Sequence, residues 1–311
     1  MARGCGRTVR DSSGSAFATA IAPRTPSTAA NLPRVLRRLG GLTRIVGIGL
    51  FRDEDVFVEQ AVRNVLGFCD EILLCDHASR DGTSGILERL AAERPDVLRL
   101  HRVEHPSRSH DLIAPLAGQD VWVFGVDGDE LYDPEGLRRF RPRLLGGELD
   151  DWWLIRSNVL HAVELDRERG IARGYMSPPA PSMVKLHNFA LIESWDGSHP
   201  ERLHGTEGLR FKPGRGARKL ELGRRYGWDE SPLRCLHVCF LPRSSSDRGA
   251  RARENIADRN APSRLPRRAW RRLRRSAGGS PPSAWKREHY RAGPLEEVSI
   301  APFLEVTAPI S

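Results

Sequence analysis

From residue 44 onward, apolar runs alternate with segments whose apolar residues recur every three to four positions. This is the pattern of strands joined by helices in βαβ units. The run 45–51 reads as a strand, after which Val58, Ala61, Val62 and Val65 repeat at helical spacing until Gly67 ends the helix. A second strand, 71–75, leads through Asp81-Gly82-Thr83 into a helix that carries Ile86, Leu87 and Leu90 and stops before Pro95, with Asp81 or Thr83 as its cap. A third strand, 97–103, and a loop-to-helix stretch, 107–116, precede the unbroken apolar run 121–126, which suits a strand buried on both faces. Asp133 as N-cap and Pro134 at the first helical position open the next helix. Beyond residue 150 the pattern loosens to runs at 152–160, 183–186 and 233–241 among loops rich in Gly, Pro and Arg. The prediction is an α/β fold: a mostly parallel, Rossmann-like sheet with helices on both faces, followed by a less regular region.

Composition sets the boundaries. The 311 residues, 39% hydrophobic and 29% charged, suffice for one large domain and exclude a small stapled scaffold. No apolar stretch approaches the ~20 residues needed to span a bilayer. The five cysteines are odd in number and form no CxxC pair, which fits a reducing cytoplasm. Residues 1–42, rich in Arg, Ser, Thr, Ala and Pro, read as a disordered leader; 43–241 hold the α/β domain; 242–311 read as a basic, largely mobile extension. The net charge of +9 gathers after Arg243, most densely at Arg267, Arg268, Arg271, Arg272, Arg274 and Arg275 around Trp270 and Leu273. Such a block suits peripheral attachment to the anionic inner face of a membrane, contact with nucleic-acid phosphate, or simply a solvated tail. With no interleaved aromatic and basic residues in the α/β half, nucleic acid is the weakest of these partners.

The chemistry is concentrated at strand ends. Arg52-Asp53-Glu54-Asp55, Asp76 to Asp81, and Asp127-Gly128-Asp129 each follow a strand, so all three converge where open α/β sheets bind ligands. Asp127 and Asp129 are two apart and project to one side of an extended segment, with Gly128 between them allowing close approach. This geometry suits a hard Mg²⁺ or Mn²⁺ ion bridging a diphosphate. A lone D-x-D is more often a capped acidic turn, and the two partner strand ends reverse that balance.

The ordered motifs Asp53-Glu54-Asp55, Asp70-Glu71-Ile72, Asp76-His77-Ala78-Ser79-Arg80-Asp81-Gly82-Thr83 and Asp127-Gly128-Asp129-Glu130 resemble those of the family 2 glycosyltransferases of the GT-A fold. The resemblance covers residues 44–133. It implies a UDP-, GDP- or dTDP-sugar donor, with 43–133 as the nucleotide-sugar half and 134–241 as the acceptor side. Glu54 and Asp76 would contact the nucleoside, with Asp53 standing where the family has Asn, and Asp81 would shape the same pocket. Asp129 would ligate the metal, Asp127 would lie nearer the ribose or donor sugar, and a late histidine, His237, would complete the metal site. His77-Ala78 departs from the commoner Asn-Gly. Trp195-Asp196-Gly197-Ser198-His199-Pro200-Glu201 is similar to a Trp-x-Gly-x-x-His-Glu segment of bacterial members, with Pro200 inserted, and offers Asp196, His199 and Glu201 as candidate bases. Arg108 and Arg243 are further candidates for the diphosphate. The expected activity is a metal-dependent, inverting glycosyltransferase (hexosyltransferase type) acting on a glycan or lipid-linked acceptor. The alternatives are a non-catalytic nucleotide-sugar or nucleic-acid-binding protein, and a nucleotidyltransferase. The last would need a Gly-rich loop where Phe51-Arg52-Asp53-Glu54 stands.

Overall fold

The computed structural model describes residues 43–197, 199–246 and 288–304. The expected leader at 1–42 and the arginine block at 267–275 lie outside the described residues. The first half alternates as its apolar pattern requires: β1 (Arg44–Phe51), α1 (Val58–Arg63), β2 (Glu71–Asp76), α2 (Thr83–Glu93), β3 (Leu98–Arg102), α3 (Arg108–Asp111) and β4 (Val121–Val126). These strands pair in parallel in the order β3-β2-β1-β4. β1 shows why two-sided burial demands an unbroken apolar run. Ile45 and Phe51 enter the core shared with Val58, Val62, Leu87 and Leu90, while Val46, Ile48 and Leu50 enter a second core with Ile113, Trp153 and Trp195. Gly49 makes room within the strand, since a Cβ there would lie 2.3 Å from the Phe51 ring.

Beyond β4 come β5 (Glu130–Tyr132), α4 (Pro134–Leu145), β6 (Leu154–Asp166), β7 (Ile171–Met176), β8 (Met183–Asn188), β9 (Ile192–Trp195), β10 (Leu209–Phe211), β11 (Lys219–Glu221), β12 (Arg234–His237), β13 (Leu295–Ser299) and α5 (Ala301–Leu304). Asp133 caps α4 as its sequence position suggests, accepting from the Glu135 amide at 3.0 Å with Pro134 at the first turn. β8 joins β4 antiparallel and β6 joins β8 antiparallel, so the parallel core passes into an antiparallel extension, β8-β6-β7-β13. β12 lies between β5 and β6, antiparallel to one and parallel to the other.

Two details differ from the sequence reading. The run 233–241 is a strand only through His237; a backbone bond from Val238 to the Asp129 carbonyl at 2.8 Å fastens the end of the strand, and residues 239 to 241 turn. The 242–311 stretch is not uniformly an appendage either: residues 288–304 add β13 to the sheet and bury Ile300 and Phe303 beside Trp228. Only a few apolar residues anchor this segment, too sparse a pattern to register as an element in the sequence. Among the described residues no helix is long and apolar enough to cross a membrane.

Candidate functional site

The loops after β1 and β2 are stitched to one another. The Asp53 carboxylate accepts from the Arg80 amide at 2.7 Å, and its own amide donates to Ser79 Oγ at 3.2 Å. Asp76 accepts from Ser79 Oγ at 2.6 Å and from the Ser79 amide at 3.3 Å. Glu54 donates its amide to Thr83 Oγ1 at 2.7 Å, Asp55 accepts from the Gly82 amide at 3.1 Å, and Asp81 accepts from the Thr83 amide at 2.9 Å. His77 spans from Arg52 (3.0 Å) to the Val103 carbonyl (3.1 Å). Asp53 and Ala78 adopt positive φ of 52° and 50°, a conformation that costs energy for non-glycine residues and recurs at functional sites.

The Asp127-Gly128-Asp129 turn closes onto this frame. A Cβ on Gly128 would stand 2.3 Å from Glu54 Oε2, so glycine is what lets the carboxylate of the first strand end reach the turn. The acidic groups bring their own cations. Asp127 pairs with Lys185 and, at 2.5 Å, with Arg202; Lys185 also reaches Glu130 at 2.6 Å. Burial alone would raise the Asp127 pKa, but the Arg202 and Lys185 charges outweigh it and hold it well below the usual carboxylate range. Asp129 is buried rather than solvent-facing; against its desolvation, Arg243 and His237 likewise hold its pKa low. Arg243 pairs with the Asp129 carboxylate and lies 3.4 Å from Glu54, and His237 Nε2 is 3.6 Å from Asp129.

The residues after Arg243 continue across the crevice. Ser244 Oγ donates to Asp81 at 2.5 Å, the Ser245 amide donates to Asp55 at 2.7 Å, and Val56 donates its amide to the Arg243 carbonyl at 3.1 Å. Thus Glu54, Asp55, Asp81 and Asp129, drawn from three separate strand ends, share one strap. Arg243, one of the two sequence-level candidates for the diphosphate, is at the centre of the site. Arg108, the other, is a surface residue paired with Asp111 at 3.0 Å.

On the acceptor side, the loop between β9 and β10 is held by α3. His110 reaches the Trp195 carbonyl with Nε2 (2.8 Å) and the Arg202 carbonyl with Nδ1 (2.6 Å), while Ser109 Oγ accepts from the Arg202 amide at 2.9 Å. Arg202, at φ 22°, thereby projects inward, donating to the Val126 carbonyl at 2.8 Å and to Asp127. Glu201 is buried 3.9 Å from the same guanidinium nitrogen and 3.0 Å from His204 Nδ1. Burial opposes its charge, yet His204 and Arg202 keep its pKa lowered.

The three candidate bases therefore part company. Glu201 joins the crevice through Arg202. His199 lies behind it, buried and stacked on His110 at 3.7 Å. Asp196 is exposed and faces Arg210 at 3.7 Å. Beside Asp127 opens a cavity of about 440 Å³, lined among others by Trp153, Lys185, Arg202, His204 and Tyr290. Lys185 and Arg202 were not singled out by the sequence. Lys185 had a visible signal, an isolated charge inside the apolar run 183–186, whereas Arg202 is lost among the many arginines.

No family model and no curated protein matches the chain. Among solved structures it is similar to Staphylococcus aureus TarS residues 1–349 in complex with UDP, at 17% identity and a TM-score of 0.33, over 48% of this chain and 47% of that one. It is similar to Mycobacterium tuberculosis glucosyl-3-phosphoglycerate synthase in complex with Mn²⁺, UDP and glucosyl-3-phosphoglycerate, at 16% identity and a TM-score of 0.29, over 44% of this chain and 50% of that one. A Bacillus anthracis protein described as a glucose-1-phosphate thymidylyltransferase matches at 10% identity and a TM-score of 0.31, over 47% of this chain and 72% of that one. The chain thus spans about half the length of the first of these. Likenesses this partial leave the function to the site itself. The parallel order β3-β2-β1-β4, the acidic groups at its carboxyl edge and the antiparallel continuation through β8 and β6 give this chain a GT-A-like α/β fold.

Proposed function

We propose that this chain is a metal-dependent glycosyltransferase that moves a hexose, with inversion, from a nucleoside-diphosphate sugar to a hydroxyl of a glycan or lipid-linked acceptor. The observation that carries the reading is the convergence in one crevice of Glu54, Asp76, Asp81, Asp127 and Asp129 with Arg243, Lys185 and Arg202. Carboxylates fixed by backbone amides, as Asp53 and Asp76 are, suit the hydroxyls and donor edges of a nucleoside. The paired cations suit its phosphates.

The residues present fit a divalent cation. Asp129 offers a carboxylate oxygen and His237 a ring nitrogen 3.6 Å from it, with Asp127 alongside in the same turn. Two donors that each bind one ion at about 2.0–2.2 Å can stand up to about 4.4 Å apart, and this pair lies within that reach. An oxygen and imidazole set accepts Mn²⁺ more readily than Mg²⁺. Bound there, such a cation would neutralise the charge that develops on the leaving diphosphate. Arg243 now occupies the Asp129 carboxylate, and its release would free a guanidinium for the phosphate oxygens. Lys185 and Arg202 fix Asp127 at the mouth of the cavity, where the donor sugar would sit. Glu201, ionised and steadied by His204 and Arg202, would take the acceptor hydroxyl's proton as the new glycosidic bond forms. His199, stacked on His110 and 3.2 Å from the His204 carbonyl, would steady the loop that carries Glu201.

Thermal melts with UDP, GDP and dTDP, each with Mn²⁺ or with EDTA, test the proposal. The matching nucleotide with Mn²⁺ should stabilise the protein by about 2.7 kcal/mol at a ~100-fold excess over Kd. Asp129→Asn, isosteric at a buried position, should remove the Mn²⁺-dependent part. A shift indifferent to EDTA would overturn the metal assignment, and no shift with any nucleotide would overturn the donor assignment.

A further inference from the structure

His161 on β6 and His237 on β12 are direct partners in the parallel register of these strands, so their side chains leave the sheet on the same face. Their Nδ1 atoms stand 2.9 Å apart. Cys239 follows just past the end of β12, and one ligand atom from each of His161, His237 and Cys239 lies within 4.8 Å of the others.

The tautomer of His161 is set from outside the cluster. Its Nε2 is 2.8 Å from the Pro181 carbonyl oxygen, which can only accept, so the ring proton sits on Nε2 and the Nδ1 lone pair points at His237 and Cys239. An imidazole oriented by donating its other N–H to a backbone carbonyl is the arrangement that holds metal-binding histidines in place. Tyr290 stacks on the His161 ring at 4.3 Å and meets His237 edge-on at 5.4 Å, so an aromatic wall flanks the group. The two histidines are buried and Cys239 is half-buried, which leaves an approach from the sulfur side.

We propose that His161, His237 and Cys239 form a binding site for a borderline-soft transition-metal ion, Zn²⁺ foremost, separate from the hard-cation position at Asp129. Two imidazoles and a thiolate match Zn²⁺ and disfavour Mg²⁺ or Ca²⁺, which take oxygen ligands. On binding, the Cys239 thiol gives its proton to solvent and its sulfur to the ion, and the fourth position is left to water. The ion would staple β12 to β6 and fix the turn from which Arg243 reaches Asp129 and Glu54. A neutral imidazole has one lone pair, so an ion on Nδ1 leaves the His237 proton on Nε2 facing Asp129, and the two positions compete for this ring.

The test is Zn²⁺ binding to chelator-stripped full-length protein, without nucleotide, read as bound metal after gel filtration. Co²⁺ substitution provides a thiolate-to-metal charge-transfer band. The wild type and Asp129→Asn should each retain one Zn²⁺ per chain, whereas Cys239→Ser and His161→Gln should lose it, and Cys239→Ser should lose the Co²⁺ band. Unchanged melting of the metal-free variants would show that the fold persists. Substoichiometric Zn²⁺ in the wild type, retention in Cys239→Ser, or loss in Asp129→Asn would overturn the site; in the first case the 2.9 Å contact is a plain His237-to-His161 hydrogen bond. Because no nucleotide is present, this result and the UDP melts fail independently.

Discussion

The carboxylates of the two halves of the crevice are neutralised by different means. Asp53, Asp76 and Asp81, after β1 and β2, are held by amides and hydroxyls: Asp76 by Ser79, Asp53 by the Arg80 amide, Asp81 by Thr83 and by Ser244 of the strap. Those after β4 are held by charges brought from far along the chain: Asp127 by Lys185 and Arg202, Asp129 by Arg243 and His237. The first arrangement holds the half-buried Asp53 and Asp81 and the buried Asp76 by neutral donors, and under the proposed function this side would meet the nucleoside. The second buries alternating charges, a pre-built electrostatic cage for a ligand that is itself charged. A buried ion pair adds little net stability, but losing one partner strands the other in a poorly solvating interior.

That asymmetry yields its largest effect at Lys185, which is buried between Asp127 and Glu130. Burial works against its charge, yet the two acids keep its pKa raised. Lys185→Met should destabilise the fold by about 3–5 kcal/mol in urea denaturation, the range for breaking a buried pair. Lys185→Met with Glu130→Gln should recover part of the loss, because one stranded carboxylate is then neutral. A single variant within about 0.5 kcal/mol of wild type would show that the cage is not as dry as its geometry implies.

A second expectation concerns acid. His187 lies beside Lys185 on the path of β8, buried against Trp153 and Trp195, with Nδ1 lacking a hydrogen-bond partner among the described residues. Burial first, then the nearby His204 and Lys185 charges, lowers its pKa to about 3. Unfolded, a histidine titrates near 6.5, so the unfolded chain takes up a proton that the folded one refuses. Stability from this group is complete above pH ~6.5 and is lost as pH falls toward about 3. At pH 5 the loss is about 2 kcal/mol. His187→Phe should flatten the pH dependence of unfolding between pH 6 and 4 relative to wild type, and an equal slope in both proteins would remove His187 from the acid response.

The same division explains what was legible in the sequence. The parallel core could be read because β1, β2 and β4 are buried on both faces and each of their ends is followed within a few residues by its acids; Asp53, Glu54, Asp76, Asp81, Asp127 and Asp129 all lie at this carboxyl edge. Their fixing hydrogen bonds within each loop are local too. The cations are not. Lys185 pairs with Asp127 across 58 positions and Arg243 with Asp129 across 114, and no sequence period connects such partners. Glu201 was placed among three candidates, but what separates it from Asp196 is Ser109 and His110, which grip the loop from α3. β5 and β13 escaped notice because short strands that pair with one neighbour carry too few apolar positions to show a period.

The smallest effect is expected where the comparison predicts most tolerance, at Ser79. Its hydroxyl donates to Asp76 at 2.6 Å and accepts from the Asp53 amide at 3.2 Å, bridging the first two strand ends. Removing it leaves Asp76 with the Ser79 backbone amide, 3.3 Å away, and the turn is open enough for water to take the hydroxyl's place. Ser79→Ala should therefore cost only about 1 kcal/mol in urea denaturation, near the net worth of a single hydrogen bond. Since Asp76 would be less firmly oriented toward the nucleoside, the variant should lose more in UDP affinity, measured by calorimetry with Mn²⁺ present, than this modest change in stability suggests. A stability loss rivalling that of Lys185→Met would mean that the first two strand ends are as dependent on fixed partners as the third, and the contrast between tolerant and brittle strand ends would fail.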